Sequence, residues 1–97
     1  MLHIITNSPF HSQSLQTCLR YSSHEDEIVL MQDAVYAGLY DSVVNHSLQS
    51  WSGKLYLLDV DVQARGIISL LDEKCELLTT AEYVALTVKH QQQIHWQ

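Results

Sequence analysis

Apolar positions along the chain fall into two kinds of segment that alternate from one end to the other. Short runs of consecutive apolar residues are typical of strands covered on both faces. We predict such strands over residues 2–6, 28–31 and 54–58, with a weak strand at 76–78 and a short one at 94–96. Between the first two runs, Leu15, Cys18 and Leu19 recur at helical spacing, which predicts a helix from about Ser12.

Capping residues mark where further helices begin. Asp33 is placed to cap a helix that starts at Ala34 and breaks near Gly38. Thr79 and Thr80 precede a helical pattern that runs to Lys89. Two further segments are predicted as a helical piece over about 42–50 and as a helix or two short turns over 62–71.

The order of these segments predicts the fold class. Strands alternate with helices, and the connections are too long for hairpins, which is typical of βαβ units. We therefore predict one α/β domain over residues 1–97, with a mainly parallel sheet of about four to five strands flanked by helices.

Composition excludes several classes of function. The 97 residues carry a formal charge of −6, and the five basic residues are scattered, which disfavours direct nucleic-acid binding. The longest uninterrupted apolar run, 34–40, is too short to cross a bilayer, and the start lacks the features of a signal peptide. Two cysteines are too few for a disulfide-stapled secreted fold, so we expect a cytoplasmic protein that does not bind membranes.

Motifs for cofactors and metals are missing from the sequence. Neither G-x-G-x-x-G nor a P-loop occurs, and the six histidines form none of the usual metal-site spacings. We therefore expect no cofactor and no metal, with surface or capping roles for the histidines.

The carboxyl edge of a parallel sheet is where such folds usually bind ligands. Asn7 and Ser8 follow the first predicted strand, Asp33 follows the second, and Asp59 follows the third. Capping is the more common role for an aspartate in the position of Asp33. These polar residues are candidates for a binding edge, although their pattern matches no catalytic motif.

Neither cysteine has the surroundings of a reactive thiol. Cys18 lies on the apolar face of the first predicted helix, where burial as a small hydrophobic residue is expected. Cys75 lies beside Glu73 and Glu76, whose charges would raise its pKa.

A set of fragments in fixed order resembles the TusB/DsrH family along nearly the whole chain. The fragments are Leu2-His3, Asn7-Ser8-Pro9-Phe10, S-L-x-x-C-L-R over 14–20, Val29 to Asp33 with Tyr36-Ala37, Leu55-Tyr56, Asp61, Ala64-Arg65-Gly66, Leu86 to His90 and Trp96. Each fragment alone is weak, but their order and spacing in a chain of this length are specific. Tyr36 and Arg65, which lie within them, join the candidates for an edge or interface.

The resemblance implies a subunit of the TusBCD or DsrEFH sulfur-relay complexes. Its partners would be TusC/DsrF-like and TusD/DsrE-like paralogues, with downstream sulfur carriers reached through the complex. The essential persulfide cysteine would lie in the TusD/DsrE chain, so this chain is expected to be non-catalytic. Sulfur would pass towards 2-thiouridine at the tRNA wobble position or, in the DsrEFH form, belong to sulfur oxidation.

The sequence also allows two alternatives. DsrH-like members carry a cysteine where Cys18 lies, which would make the chain a thiol sulfurtransferase with Cys18 as a persulfide site. A homo-oligomeric module could instead bind a small ligand at the Asn7, Asp33 and Asp59 edge. Some apolar residues could serve either the core or subunit contacts, namely Phe10, Tyr36, Leu39, Tyr40 and Trp51.

Overall fold

The computed structural model describes residues 1–23, 25–40, 45, 48 and 51–96. The strands in this part of the chain are β1 (Leu2–Ile5), β2 (Glu27–Leu30), β3 (Lys54–Leu58), β4 (Glu76–Leu78) and β5 (Gln93–Trp96). The α-helices are α1 (Ser14–Tyr21), α2 (Asp59–Ala64) and α3 (Thr80–Lys89), with 3₁₀ helices at Gln32–Gly38 and Ile68–Leu70. The helical piece predicted over about 42–50 lies largely outside the described residues.

The strands form one parallel sheet in the order β4-β3-β2-β1-β5. The chain steps from β1 to β4 in one direction, and α3 then carries it back across the sheet to the far side of β1. This arrangement confirms the predicted α/β class, the parallel sheet and the number of strands. None of the helices in the described part of the chain has the length and hydropathy that a membrane span requires.

Two hydrophobic clusters lie on opposite faces of the sheet because side chains alternate along each strand. The larger cluster packs one face of the sheet against α1, the first 3₁₀ helix and α2. Its centre is formed by Ile5, Leu15, Cys18, Ile28, Leu30, Val35, Leu57 and Val62. The other face packs against α3 through Leu2, Val29, Tyr56, Leu78 and Leu86. Every residue of β2 is buried, as expected for a central strand covered on both faces.

Helix α3 begins as its sequence predicts. The Thr79 hydroxyl accepts a hydrogen bond from the Glu82 amide at 3.1 Å, and the Glu82 carboxylate accepts one from the Thr79 amide at 2.9 Å. This reciprocal capping box satisfies two amides that the helix itself leaves unpaired. Such a cap stabilises a helix by about 1 kcal/mol.

The prediction that Asp33 caps a helix beginning at Ala34 is wrong. The segment is a 3₁₀ helix over Gln32–Gly38, and no side chain caps it. Asp33 lies inside the first turn of this 3₁₀ helix, and its carboxylate bonds Arg65.

Residues 62–71 correspond to the predicted alternative of two short turns. α2 ends at Ala64, Gly66 adopts a φ of 65°, and a second 3₁₀ helix follows. Glycine suits this position since a left-handed φ carries little steric cost for it.

Candidate functional site

A salt-bridged cluster at the carboxyl edge of the sheet joins the segments that follow β2 and β3. The Arg65 Nη2 and Nε atoms both donate to Asp33 Oδ1, at 2.7 and 3.1 Å. Arg65 Nη1 donates to the Asp61 backbone carbonyl at 3.1 Å. The guanidinium thus cross-links the first 3₁₀ helix to α2, and it neutralises charge that two neighbouring carboxylates would otherwise concentrate there.

Two further contacts hold this cluster in place. The Arg65 guanidinium lies 5.9 Å from the centroid of the Tyr36 ring, a cation–π distance. The Gln32 amide donates to Asp61 Oδ2 at 2.8 Å, and Gln32 adopts a φ of 50°. A non-glycine residue in the left-handed region costs about 1 kcal/mol or more. The Asp61 hydrogen bond helps to hold this turn in place.

A surface cavity of about 430 Å³ adjoins the cluster. Its lining residues are Ser8, Phe10, His11, Asp33 and Tyr36. The Ser8 hydroxyl accepts a hydrogen bond from the Phe10 amide at 3.2 Å, and Phe10 itself is 58% exposed. The cavity lies beside an exposed aromatic ring, and the Ser8 hydroxyl and the Asp33 carboxylate at its wall are already hydrogen-bonded within the chain.

Four of the six candidate edge residues are therefore brought together by the fold. Ser8, Asp33 and Tyr36 line the cavity, and Arg65 bonds two elements beside it. Asn7 is exposed and is not among the lining residues. Asp59 begins α2 and accepts a hydrogen bond from Gln63 at 2.7 Å. Sequence reasoning did not single out His11, and only its proximity to the Asn7–Phe10 turn could have suggested it.

The two thiols lie away from this edge. Cys18 has no exposed surface, and burial, followed by the nearby Asp26 charge, raises its pKa to about 12. Cys75 is partly buried, and burial, followed by the Asp72 charge, raises its pKa to about 11. Since the thiolate is the nucleophilic form of cysteine, neither group is activated for sulfur transfer in this conformation.

The amino end of the sheet holds a buried network around His3. Trp96 Nε1 donates to His3 Nδ1 at 3.0 Å, and His3 Nε2 lies 2.8 Å from Asp26 Oδ2. An indole N–H can only donate, so His3 Nδ1 must accept and Nε2 must carry the proton given to Asp26. Burial alone raises the pKa of Asp26, but hydrogen bonds from His3, the N-terminal ammonium and the Ser23 amide outweigh it and lower the pKa below its usual range.

A second buried network surrounds Glu27, the first residue of β2. His90 Nε2 lies 2.5 Å from Glu27 Oε2, Lys89 Nζ lies 3.5 Å from Oε1, and the Tyr56 hydroxyl donates to Oε1 at 3.4 Å. Burial alone raises the pKa of Glu27, but His90 and Lys89 lower it overall. Burial and the negative charges of Glu27 and Glu76 raise the pKa of Tyr56. This network ties the end of α3 to the sheet.

The predicted surface or capping role of the histidines is wrong for His3. Its side chain is fully buried within β1, and His90 is also largely covered. The run Leu2-His3-Ile4-Ile5 carried a signal for this, because a polar residue inside a strand buried on both faces needs a partner. The partner itself, Asp26, lies 23 residues away and could not be read from local pattern.

Of the apolar residues predicted for either the core or subunit contacts, some are buried in the core and others are exposed. Trp51 is 8% exposed and belongs to the core. Tyr36 and Leu39 are partly buried against the same cluster. Phe10 and Tyr40 are 58% and 72% exposed, which leaves both available for contact.

The described strands form a small parallel α/β domain with a surface cavity at the edge where related architectures bind ligands. Comparison with known proteins identifies the family. The family described as DsrH like protein matches residues 7–93, and the chain belongs to it. Protein TusB of Yersinia pestis is 36% identical over 96 residues, which cover 99% of this chain and all of that protein. Protein TusB of Yersinia pseudotuberculosis gives the same identity and coverage.

Solved structures share the fold. The crystal structure of the ychN protein from E. coli superposes with a TM-score of 0.78 at 24% identity and covers 97% of both chains. A protein from Thermotoga maritima, solved by NMR, superposes with a TM-score of 0.66 at 24% identity and covers 95% of this chain and 97% of its own. At these identities the likeness concerns architecture alone.

Proposed function

We propose that this chain is a structural, accessory subunit of a cytoplasmic sulfur-relay complex that passes persulfide sulfur between protein cysteines. The observation that carries the proposal is the match to Protein TusB at 36% identity along 99% of the chain. In this account the sulfur moves towards 2-thiouridine at the tRNA wobble position. The partners are a TusC/DsrF-like and a TusD/DsrE-like subunit, and downstream carriers are reached through them.

The state of the thiols supports an accessory role. A relay cysteine must be reached by a partner sulfur and must ionise near neutral pH. Cys18 is inaccessible, and its pKa is raised to about 12. A sulfurtransferase that carries persulfide on Cys18 would need α1 to leave the sheet, which would open the core. Transfer therefore runs through a cysteine of another subunit.

The charge of the chain supports an indirect relation to tRNA. Three of the five basic side chains are already engaged: Arg65 with Asp33, Lys89 with Glu27, and Lys74 with the carbonyls of Leu48 and Trp51. Against a net charge of −6, the two that remain cannot neutralise a run of phosphates. In the proposed complex, the tRNA contacts a downstream enzyme and not this chain.

The carboxyl edge is one of the partner contacts in this account. Ser8, Asp33 and Tyr36 surround a cavity beside the exposed Phe10 ring, and Arg65 links the 3₁₀ helix that carries Asp33 and Tyr36 to α2. An exposed aromatic side chain over a preformed cavity is a common anchor of interface cores.

Native mass measurement tests the proposal. The tagged chain is expressed in its own cells, purified gently, and the intact assembly is weighed. We expect two other small chains in equal number with it. A chain that emerges alone or only with copies of itself would contradict the proposal. Phe10→Ser is expected to weaken the assembly, whereas Val84→Ser, at a similarly exposed apolar site (53% against 58%), is the matched control.

A further inference from the structure

The two edges of the sheet differ in what they offer a partner. β5 ends the sheet on one side, and its residues Gln93 and His95 are polar and exposed. β4 ends it on the other side and has a neighbouring strand, β3, on one side only. Leu77 in the middle of β4 is 38% exposed, so this edge presents both backbone hydrogen-bonding groups and apolar surface.

An open groove runs along the β4 edge where α3 crosses it. The groove has a volume of about 390 Å³, and its apolar lining is formed by Leu77, Leu78, Ala85 and Leu86. Glu76 and Glu82 line it as well. Glu76 forms no ion pair with any other described residue, and Glu82 uses one carboxylate oxygen for the helix cap. The Lys89 ammonium that also borders the groove is bound to Glu27, which leaves the groove with unneutralised negative charge.

On the other face, the segment that leads into β4 is also apolar and exposed. Leu70 and Ile68 are 56% and 50% exposed, and Tyr40 is 72% exposed. Leu39, Tyr40, Leu70 and Leu71 border a second cavity of about 460 Å³ together with Ser69. Leu39 and Leu71 form an isolated antiparallel bridge, and the adjoining Gly38 lies against Leu57 of β3 and against Cys75, which precedes β4. Both faces next to the β4 edge therefore carry uncovered apolar surface.

We propose that β4 is the docking edge for an extended, basic segment of a partner subunit, which adds to the sheet as a further strand. Its main chain pairs with β4, and one Lys or Arg side chain lies in the groove. The aliphatic stem of that side chain covers Leu78, Ala85 and Leu86, and its charged tip meets Glu76 and Glu82. Strand addition of this kind takes affinity from backbone bonds and specificity from the side-chain pocket.

The negative charge near β4 favours a different protein over a second copy of this chain as the partner. A second copy brings the same acids, Glu73 and Glu76, to the interface, and its net charge is also −6. Like charges across paired strands destabilise the pairing. A basic segment of another protein instead removes the repulsion, and its charge steers the encounter. The inference rests on the proposed function because the partner is taken to be a subunit of the relay complex.

Three variants test this edge in the co-purified complex. Glu76→Lys reverses the charge of the groove, and Ala85→Arg fills the groove from within with a residue that favours helix. Val88→Arg adds the same charge to α3 at a site that is 80% exposed and does not line the groove. We expect the first two to weaken association with the partner subunits by about tenfold or more, and Val88→Arg to assemble like the wild type.

Hydrogen exchange gives a second measurement that does not depend on the variants. On assembly, the amides of β4 are expected to exchange more slowly, whereas those of β5 change little. If the wild type assembles while Glu76→Lys and Ala85→Arg also assemble normally and β4 gains no protection, the docking edge is refuted and the relay proposal stands. If the wild type associates with no paralogue, both are refuted. Protection of β4 in a complex of identical copies would also overturn the assignment.

Discussion

The two ends of the sheet use charge in different ways. At the amino end, Asp26 and Glu27 lie next to each other in sequence, and each is paired with a covered histidine. At the carboxyl end, Asp33 is 60% exposed and is paired with Arg65 on the surface. Perturbed carboxylates often mark active sites, yet here the carboxylates with lowered pKa values lie at the end opposite to the edge where such folds bind ligands.

This difference indicates that the amino-end networks stabilise the fold. His3 joins β1 to the start of β2 and to Trp96 of β5, and His90 joins the end of α3 to β2. These contacts link elements that are far apart in sequence. The carboxyl-end cluster also links segments that are distant in sequence, but the carboxylate of Asp33 is mostly exposed, so its loss should disturb local geometry more than overall stability.

Acid should cause the largest loss of stability because protonation of Asp26 and Glu27 disrupts both amino-end networks. The folded-state pKa values of Asp26 and Glu27 lie below their ordinary values of 3.8 and 4.5. Their contribution is therefore fully present above these values and is lost as pH falls through the folded-state pKa values. Denaturant unfolding between pH 7 and pH 2 should show a steep loss of stability below about pH 4.5.

A double variant checks the origin of that loss. Asp26→Asn with Glu27→Gln should be less stable at pH 7, and its stability should depend less on pH in the acidic range. An unchanged slope would mean that other carboxylates control the acid transition.

Glu27→Ala should produce the next largest loss of stability. The change leaves His90 and the Tyr56 hydroxyl without their buried acceptor, and breaking such a pair costs about 3 kcal/mol. Glu25→Ala is the matched control, since Glu25 is an exposed acid two positions away and should change stability by less than about 0.5 kcal/mol. Urea titration of the three proteins measures the difference. Equal stabilities would refute the structural role of the Glu27 network.

Arg65→Gln should produce the smallest effect on stability. The side chain is bonded to Asp33, whose carboxylate is mostly exposed, and exposed ion pairs contribute up to about 1 kcal/mol. The turn at Gln32 should nevertheless loosen, which would appear as faster amide exchange in the segment 32–38. Arg20→Gln on α1 provides the control of equal charge. A loss as large as that of Glu27→Ala would overturn the contrast between the two ends.

Much of the fold could be predicted from the sequence because its signals are local. Runs such as Ile28–Leu30 and the cap at Thr79 report their own segment, and both were predicted. The 3₁₀ helix at Gln32–Gly38 was not predicted because the carboxylate of Asp33 bonds Arg65, which lies 32 residues further along the chain. A local capping preference could not predict this, because only the tertiary structure brings Arg65 close to Asp33.

The candidate site could be predicted only in part for the same reason. Ser8 and Asp33 were placed at one edge by the rule that parallel strands end together, and Tyr36 was added through the family resemblance. Asp61, which holds both the Gln32 amide and Arg65, entered the sequence analysis as one of the residues that resemble the TusB/DsrH family, with no structural role assigned to it. The burial of Cys18 followed from helical spacing, whereas the buried state of His3 required its distant partners.

The central claim is that this chain supports sulfur transfer without using a thiol of its own. The most direct test is a cysteine-free variant, Cys18→Ala with Cys75→Ser, expressed in cells that lack the native chain. Thermal melting and co-purification first establish that it folds and assembles. The account predicts that 2-thiouridine in tRNA returns to the level given by the wild-type chain. Loss of thiolation in an intact complex would contradict the account and would assign a sulfur-carrying role to one of these cysteines.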